Sequence, residues 1–266
     1  MIIDKKIWSV TDLSSYLYCP RKFFLEKIEG LRQPPTRPMI EGRIRHEIRE
    51  RFSKVEKDIV EGIEKVNQTL VHQAYKQVLD NIINQVFEKD SRLIFGFKID
   101  EKELRDKIIE SMDIEIDLRV KSILKTGEKG FIGKELWKNL EPKYLSEVQL
   151  FSDKLGLKGR ADRVMIEADE VIPFELKTRA IQKVWPSDEI QLAAYTMLLE
   201  EKYEKEIPYG VLEAGNKRHR IKIDYRLKKK VIETIEILNN LKVNPEYPNS
   251  FAKCKSCVWK KECDDL

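Results

Sequence analysis

The sequence predicts an α/β fold in which a small mixed sheet is flanked by helices. Two adjacent segments, 158–167 and 170–178, are rich in β-branched and aromatic residues and are separated by Ala168-Asp169, a pattern typical of an antiparallel hairpin. Apolar residues recur at helical spacing between 71 and 83. With 41% hydrophobic residues among 266, the chain can form one core that carries a substantial helical insertion.

The chain is expected to comprise four regions. The second of them is highly charged, has apolar residues at helical spacing, and is interrupted near Gly96 and from Gly127 to Gly133. It therefore predicts an insertion of two or three long helices. The expected regions are an N-terminal helical segment at 1–52, the helical insertion at 53–140, a core at 141–243 and a C-terminal segment at 244–266.

Further elements complete the predicted core on both sides of the hairpin. The segment 144–151 predicts a third strand, which carries Glu147. A helix is expected to begin near Pro186, because the proline, the following serine and two acidic residues all suit a helix start. The remaining predicted elements are strands at 209–214 and 219–223 and a helix at 226–241.

The overall charge says little about partners. Charged residues make up 36% of the chain, above a typical ~25%. However, the 50 Lys and Arg residues nearly balance the 46 Asp and Glu residues, so the net charge of +4 does not by itself indicate nucleic-acid binding. No signal peptide and no long apolar run is seen, which predicts a cytoplasmic location without a membrane span.

Asp162, Glu175 and Lys177 form the pattern that says most about chemistry. On neighbouring strands, Asp162 and Glu175 could share a divalent cation, Mg²⁺ or Mn²⁺, and Lys177 would lie beside Glu175 because residues i and i+2 share a strand face. Such a cation lowers the pKa of a bound water and neutralises charge on a phosphate. A Glu-x-Lys more often marks a solvated strand face, but here it alternates with Phe174 and Leu176. The pattern therefore predicts a metal-dependent phosphodiester-cleaving centre.

Gln191 and Tyr195 lie on one face of the predicted helix that follows this strand, because they are four residues apart. A tyrosine on an amphipathic helix most often belongs to the core. Because the pair directly follows the Glu-x-Lys strand, it could instead brace Lys177 or contact a DNA backbone.

Four cysteines form a second signal. Cys254, Cys257 and Cys263 are closely spaced near the end of the sequence, and Cys19 lies near its start. Disulfides are not expected in a reducing compartment, whereas three spaced thiolates with a remote fourth can hold zinc or an iron–sulfur cluster. Zinc sites more often use two C-x-x-C pairs, which this chain lacks. We therefore favour a 4Fe–4S cluster that would join the two ends of the chain.

Together these motifs resemble the CRISPR-associated exonucleases of the RecB-like, iron–sulfur branch of the PD-(D/E)XK nuclease superfamily. The matching residues extend from 9–25 (SVTDLSSYLYCPRKFFL) to the cysteine triplet. In that family a Cys in the first helix is followed by a His, a G-x-x-D strand, an E-x-K strand, a Q-x-x-x-Y helix and a final Cys triplet. In this chain the G-x-x-D motif runs from Gly159 to Asp162, and the histidine position falls on His46.

The resemblance also implies a role for each of these residues. It makes Lys177 the catalytic lysine, Glu147 an additional active-site carboxylate, and the carbonyl oxygen of Leu176 a further metal ligand. The implied metal-binding side chains are His46, Asp162 and Glu175. The implied ligands of the 4Fe–4S cluster are Cys19, Cys254, Cys257 and Cys263.

We therefore expect a metal-dependent DNA exonuclease that acts on single strands or frayed ends. The resemblance implies that it trims DNA fragments for CRISPR spacer acquisition, with CRISPR integration proteins as partners. One alternative is a RecB-like nuclease of DNA replication or recombination repair. Another is a non-catalytic DNA-binding adaptor of the same fold, against which the intact Asp162, Glu175 and Lys177 argue.

Overall fold

The computed structural model describes residues 6–168, 170–177, 183–214, 217–242, 245–246, 251–255 and 257–264. It confirms a mixed α/β architecture. The strands are β1 (Trp8–Ser9), β2 (Lys143–Ser152), β3 (Leu157–Glu167), β4 (Glu170–Leu176), β5 (Tyr209–Ala214) and β6 (Lys217–Lys222). The helices are α1 (Val10–Tyr18), α2 (Pro20–Lys27), α3 (Arg37–Glu61), α4 (Gln68–Lys89), α5 (Ser91–Gly96), α6 (Glu101–Gly127), α7 (Gly133–Lys138), α8 (Pro186–Tyr203), α9 (Tyr225–Asn240), α10 (Phe251–Cys254) and α11 (Lys260–Asp264).

The elements after the insertion lie close to where the sequence predicts them. Strand β5 has the predicted bounds, α8 begins at the predicted Pro186, and α9 begins one residue before its prediction. The predicted helix breaks are also found, since α5 ends at Gly96, α6 ends at Gly127 and α7 begins at Gly133. Asp169 of the predicted turn and Thr178 at the predicted end of β4 lie outside the described residues.

The chain divides into two compact units, each built from separate stretches of sequence. The first unit contains Met1–Pro34, Val148–Asp162 and Val171–Leu266, and the second contains Pro35–Glu147 and Arg163–Glu170. The whole of the predicted insertion, 53–140, falls in the second unit. None of the helices in the described part of the chain combines the length and the apolar character of a membrane span.

The described strands form one mixed sheet in the order β1-β3-β4-β5-β6, with β2 paired to β3. Strand β1 is parallel to β3, β4 is parallel to β5, and β5 is antiparallel to β6. A parallel pair needs a long crossover connection, and α8 supplies it between β4 and β5. The helix packs so closely on β5 that a Cβ atom at Gly210 would come within 3.0 Å of Leu192.

The second unit is a helical bundle with its own apolar core. Helices α3, α4 and α6 contribute isoleucines, leucines and aromatic residues at helical spacing, among them the packed rings of Phe52 and Tyr75, whose centroids lie 5.7 Å apart. Their apolar faces explain why so charged a stretch folds, since burial of apolar surface is the main driving force.

A buried network of charges crosses this helical core. The guanidinium of Arg119 lies 2.9 Å from Glu56 and 3.3 Å from Glu115, and its Nη2 donates a hydrogen bond of 2.8 Å to Ser146 Oγ. Arg49 pairs with Glu115 at 3.0 Å. Arg163, which is also buried, acts on Glu115 as well. Each of the two buried carboxylates therefore has a cationic partner, which is the arrangement that buried charges require.

Candidate active site

Asp162 and Glu175 lie on neighbouring strands, as the sequence predicts. Asp162 is carried by β3 and Glu175 by β4, and the two residues are only 8% and 6% exposed. The Oδ2 atom of Asp162 accepts a 2.8 Å hydrogen bond from the backbone N–H of Leu176. This bond fixes the Asp162 carboxylate against the strand that carries Glu175.

Lys177 directly follows β4, and both its backbone N–H and its side-chain ammonium have partners. Its backbone N–H donates to the carbonyl oxygen of Glu213 at 2.8 Å, which extends the hydrogen bonding between β4 and β5. Its Nζ lies 3.0 Å from Glu175 Oε1 and 3.0 Å from Asp188 Oδ1. The ammonium is thus placed between a carboxylate of the sheet and a carboxylate of α8.

Asp188 also belongs to this cluster. The sequence pattern did not predict this role, because the residue is recognisable there only as part of a helix start. It does occupy that position, and its Oδ2 accepts a hydrogen bond from the N–H of Trp185 at 3.3 Å. The signal that could have revealed its second role is its spacing, since 188, 191 and 195 share one face of a helix. The face carrying Gln191 therefore also presents Asp188.

Gln191 contacts the carboxylate of the site rather than its lysine. Its Nε2 donates a 2.8 Å hydrogen bond to Glu175 Oε2, while the other oxygen of Glu175 is paired with Lys177. Both oxygens of this buried carboxylate are therefore oriented by neighbouring side chains of the first unit.

Tyr195 belongs to the core of the first unit and is 3% exposed. Its ring packs against β3 at Gly159, where a Cβ atom would lie 2.8 Å from Tyr195 Cε1 and 2.8 Å from Val10 Cγ2. This close approach explains why a glycine begins the G-x-x-D motif. It also agrees with the interpretation of Tyr195 as a core residue of an amphipathic helix.

The electrostatics of this cluster favour an additional positive charge. Burial raises the pKa of Glu175 to about 8, and the negative charge of Asp162 contributes to the increase. Burial by itself would lower the pKa of Lys177, but Glu175 and Asp188 outweigh it and the net shift is upward. Among the described groups that act most strongly on Glu175, the carboxylates Asp162 and Asp188 outnumber the one cation, Lys177. A proton or a divalent cation can relieve this imbalance. Oxygen donors of this kind suit Mg²⁺ or Mn²⁺.

His46 and Glu147 form a second group, which lies within the second unit. His46 is carried by α3, and its Nδ1 lies 2.9 Å from Oε1 of Glu147. Glu147 is buried in β2 and has a positive φ of 54°. Such a conformation is unfavourable for a residue with a side chain and concentrates at functional sites. Both residues of this pair were predicted from the family resemblance.

The cysteine-bearing ends of the chain meet within the first unit. Arg21 Nη2 donates a 2.7 Å hydrogen bond to the carbonyl oxygen of Cys263, and Trp259 Nε1 donates one of 2.8 Å to Glu26. Leu25 packs with Trp259 and Cys263 in a small apolar cluster. The N-terminal helix α2 is therefore bound to the segment that carries the last cysteine.

The spacing of the four thiols bears on the kind of group that they could hold. Among the described residues, which include all four cysteines, no three Sγ atoms lie within 4.8 Å of one another. A tetrahedral zinc ion with Zn–S bonds of about 2.3 Å would hold its sulfur atoms roughly 3.8 Å apart. A cluster with one iron atom for each cysteine separates the sulfur atoms further. This spacing shows neither a zinc ion nor a cluster, so the 4Fe–4S cluster stays a prediction.

Comparison with known proteins places the chain in a family. The model of the PD-(D/E)XK nuclease superfamily matches residues 7–264. The chain is 28% identical over 160 residues to the "CRISPR-associated exonuclease Cas4/endonuclease Cas1 fusion" of Leptospira interrogans, covering 54% of this chain and 30% of the relative. A fusion of the same name from Myxococcus xanthus is 27% identical over 44% of this chain and 22% of its own length.

A eukaryotic relative is also found. The "DNA replication ATP-dependent helicase/nuclease dna2" of Schizosaccharomyces pombe is 27% identical over 76% of this chain and 14% of its own length. The chain thus spans less than a third of the length of each of these curated relatives. These findings support the predicted resemblance to CRISPR-associated RecB-like nucleases, while the iron–sulfur cluster stays a prediction. With a family match that extends over nearly all of the sequence, this chain belongs to the PD-(D/E)XK nuclease superfamily.

Proposed function

We propose that this protein is a metal-dependent deoxyribonuclease that digests single-stranded DNA or frayed ends from a terminus. The observation that carries the proposal is the buried cluster of Asp162, Glu175 and Lys177, in which Glu175 has its pKa raised to about 8. Perturbed carboxyls that share a site with a cation are common where an enzyme must bind a metal ion or move protons.

In this proposal Asp162 and Glu175 bind Mg²⁺ or Mn²⁺, and the carbonyl oxygen of Leu176 is a further ligand. The bound ion supplies a water of lowered pKa and neutralises charge on the phosphate. Gln191 fixes the orientation of Glu175 through the bond to Oε2, which leaves the carboxylate preorganised for the ion. Asp162 is held in the same way by the N–H of Leu176.

In this proposal Lys177 acts as a hydrogen-bond donor and a positive charge. Its pKa is raised, so Nζ is protonated at neutral pH. It can orient the attacking water and stabilise negative charge that develops on the phosphate. Asp188 is the second carboxylate paired with Nζ, which makes it a positioning residue for the lysine.

His46 and Glu147 are proposed to complete the metal site. The resemblance assigns His46 as a ligand and Glu147 as an active-site carboxylate. Within the second unit, the contact between His46 Nδ1 and Glu147 Oε1 fixes the imidazole ring. Histidines that bind metal ions are commonly oriented by a carboxylate on the other ring nitrogen. The strained backbone of Glu147 is in keeping with a role at a functional site.

We further propose that Cys19, Cys254, Cys257 and Cys263 hold a 4Fe–4S cluster that stabilises the paired ends of the first unit. Protein purified without oxygen should be brown and contain about four iron atoms per chain. Cys19→Ser should lose the cluster and become protease-sensitive before Gly30. Colourless protein with one zinc ion per chain would contradict the proposal, as would full iron content in Cys19→Ser.

The biological role is proposed from the names of the relatives. Two relatives are named as fusions of a CRISPR-associated exonuclease with an endonuclease, which favours processing of DNA fragments for CRISPR spacer acquisition with an integration protein as partner. The third relative is named for DNA replication, which favours the alternative of a replication or repair nuclease. Identification of the proteins that copurify with this chain would separate the two roles.

Digestion of oligonucleotides tests the activity itself. Single strands labelled at either end are incubated with Mg²⁺ or Mn²⁺, and the product lengths report both cleavage and its polarity. Glu175→Ala should abolish metal-dependent cleavage, while Glu233→Ala, an exposed glutamate on α9, serves as a matched control. Cleavage that persists in Glu175→Ala or in EDTA would overturn the proposed mechanism. A folded protein that binds metal but cleaves no DNA would support the adaptor alternative.

A further inference from the structure

Two of the large aromatic side chains exposed on the first unit lie near the same lysine. Tyr18, the last residue of α1, is 47% exposed, and Trp185, which precedes α8, is 45% exposed. The Nζ atom of Lys253 lies 4.4 Å from the centroid of the Tyr18 ring and 6.0 Å from that of Trp185. A single ammonium group is therefore within cation–π distance of both rings.

A second lysine reinforces the positive charge around these rings. Lys183 Nζ lies 5.4 Å from the centroid of Trp185, and Lys253 Nζ also donates a 3.1 Å hydrogen bond to the carbonyl oxygen of Tyr18. Exposed aromatic rings surrounded by lysines are the usual means of binding single-stranded nucleic acid. Bases stack on the rings while the cations attract the phosphates.

A cavity of about 210 Å³ joins this surface to the catalytic lysine. Tyr18 lines one side of it and Lys177 another, so one continuous space separates the exposed ring from the proposed active site. The volume is below the ~300–1,000 Å³ typical of sites that enclose whole small ligands. It can hold the sugar and phosphate of a nucleotide whose base remains outside. Other polar residues of its lining are Ser14, Ser15, Lys22 and Ser187.

The acidic groups of the cavity already have partners, so they do not oppose an anion. Glu26 lies 3.7 Å from Lys22 and accepts a hydrogen bond from Trp259. Asp188 is paired with Lys177 at 3.0 Å. The serine hydroxyls add neutral polar groups, and the lysines at the two rings make the surroundings positive.

We propose that Tyr18 and Trp185 form a base-stacking platform for single-stranded DNA, and that the adjoining cavity receives the sugar-phosphate next to the phosphate that is cleaved. The assignment rests on the proposed nuclease function and specifies how that site selects its substrate. In duplex DNA both faces of an internal base are already stacked, so only an unpaired strand can use these rings. Tyr18 and Trp185 are thus specificity-determining residues outside the metal site.

The platform is tested by binding, which does not depend on cleavage. A fluorescein-labelled single-stranded oligodeoxythymidine is titrated with protein in EDTA, and fluorescence anisotropy gives the Kd. Tyr18→Ala and Trp185→Ala should each raise the Kd about 5- to 100-fold, the usual range for loss of one stacked base. Tyr18→Phe should retain normal affinity, and Tyr18→Leu replaces Tyr18→Ala where the smaller residue prevents folding. The matched control is Tyr225→Ala, since Tyr225 is 77% exposed elsewhere on the first unit.

A second oligonucleotide series separates stacking from indirect structural effects. Replacing one nucleotide at a time by an abasic residue should weaken binding to the unaltered protein at one or two positions. At one of these positions the replacement should have no further effect on Trp185→Ala, because the ring that held that base is already gone. Additive losses at every sensitive position would overturn the platform, and so would an unchanged Kd in both aromatic variants.

A small phosphodiester distinguishes failure of this inference from failure of the proposed function. Bis(p-nitrophenyl) phosphate needs the metal site but presents no base to stack, so Tyr18→Ala should hydrolyse it with Mn²⁺ at the rate of the unaltered protein. Normal hydrolysis with unchanged DNA affinity would refute the platform and leave the nuclease assignment standing. Ring-dependent DNA binding without hydrolysis of either substrate would refute the nuclease assignment and leave the platform standing.

Discussion

The two units of this chain each bury a group of carboxylates, but they neutralise them differently. In the second unit, Glu56 and Glu115 face the guanidinium groups of Arg119 and Arg49. In the first unit, Glu175 lies near the carboxylates of Asp162 and Asp188 and is paired with Lys177. Arginine stays charged in proteins and offers several donors in a fixed plane, whereas lysine is a compact charge whose pKa shifts readily.

The pKa values show the result of this difference. Burial alone would raise the pKa of Glu115, but Arg49 and Arg119 outweigh it and the net shift is downward. Burial raises the pKa of Glu56, and Arg119 offsets only part of the increase. Glu175 is raised to about 8. Arginines thus lower the charge cost of the buried carboxylates in the second unit, whereas Glu175 is left with a raised pKa that the proposed metal ion would relieve.

The largest effect is expected on cleavage. Asp162→Asn should lower metal-dependent digestion of single-stranded DNA by about 10³-fold or more, because a metal ion contributes several kcal/mol of charge stabilisation. The free energy of unfolding, measured in urea, should stay close to that of the unaltered protein. Residual activity near the normal level would show that the unbalanced carboxylates are not the metal site.

The next effect is expected on stability and should occur in the other unit. Arg119→Met leaves Glu56 and Glu115 buried with a missing partner, which should lower the free energy of unfolding by about 3–5 kcal/mol. Urea titration measures this loss. Replacing Arg119 and Glu56 together by apolar residues of similar size should recover much of it, because Glu115 keeps Arg49 as a partner. A mild effect of Arg119→Met alone would mean that water reaches the network.

A smaller effect is expected on the pH dependence of stability without metal. Because the folded-state pKa of Glu175 is raised from 4.5 to about 8, its contribution is fully present below about pH 4.5 and is lost as pH rises through 8. The loss is at most about 1.4 kcal/mol per pH unit. Glu175→Gln should be less sensitive to pH over this window than the unaltered protein.

Saturating Mg²⁺ provides the control for this prediction. A cation that binds Glu175 replaces the proton, so Mg²⁺ should stabilise the unaltered protein most at high pH and should stabilise Glu175→Gln little. Parallel pH profiles for the two proteins, with and without Mg²⁺, would contradict the assigned origin of the raised pKa.

The smallest effect is expected from the positioning residue. Asp188→Asn removes one of the two negative partners of Lys177 Nζ, and hydrogen bonds to charged groups contribute about 1.5–3 kcal/mol. Cleavage should slow by about 10- to 100-fold, and the limb of the pH–rate profile that reports Lys177 should move to lower pH. Glu189→Gln, the next residue of α8, is the matched control and should leave both measurements unchanged.

Local sequence patterns predicted the elements that carry the site. The β-branched residues of β3 and β4 and the proline before α8 are short-range signals, and the corresponding elements have nearly the predicted bounds. The pairing of Asp162 with Leu176 follows from placing two adjacent strands side by side. Such features need only the conformational preferences of residues close together in the chain.

Partners that are distant in the sequence could not be predicted in the same way. Spacing along α8 predicts the face on which Gln191 lies. It does not predict that the side-chain amide of Gln191 binds Glu175 rather than Lys177. The charge network of Arg119 is even harder to predict, because nothing in the sequence around an arginine tells whether its side chain is buried or exposed. Its burial depends on how three helices pack, and no local pattern reports that.

The composition of the first unit also has a consequence for its synthesis. Its N-terminal helices are contacted by residues as far along the chain as Cys263. At about 5–20 residues per second, a ribosome needs tens of seconds to pass from one to the other. During that time the helices of the second unit can fold, while the first unit is incomplete. The proposed nuclease activity therefore requires that the segment carrying Cys263 has been synthesised and has packed on the N-terminal helices.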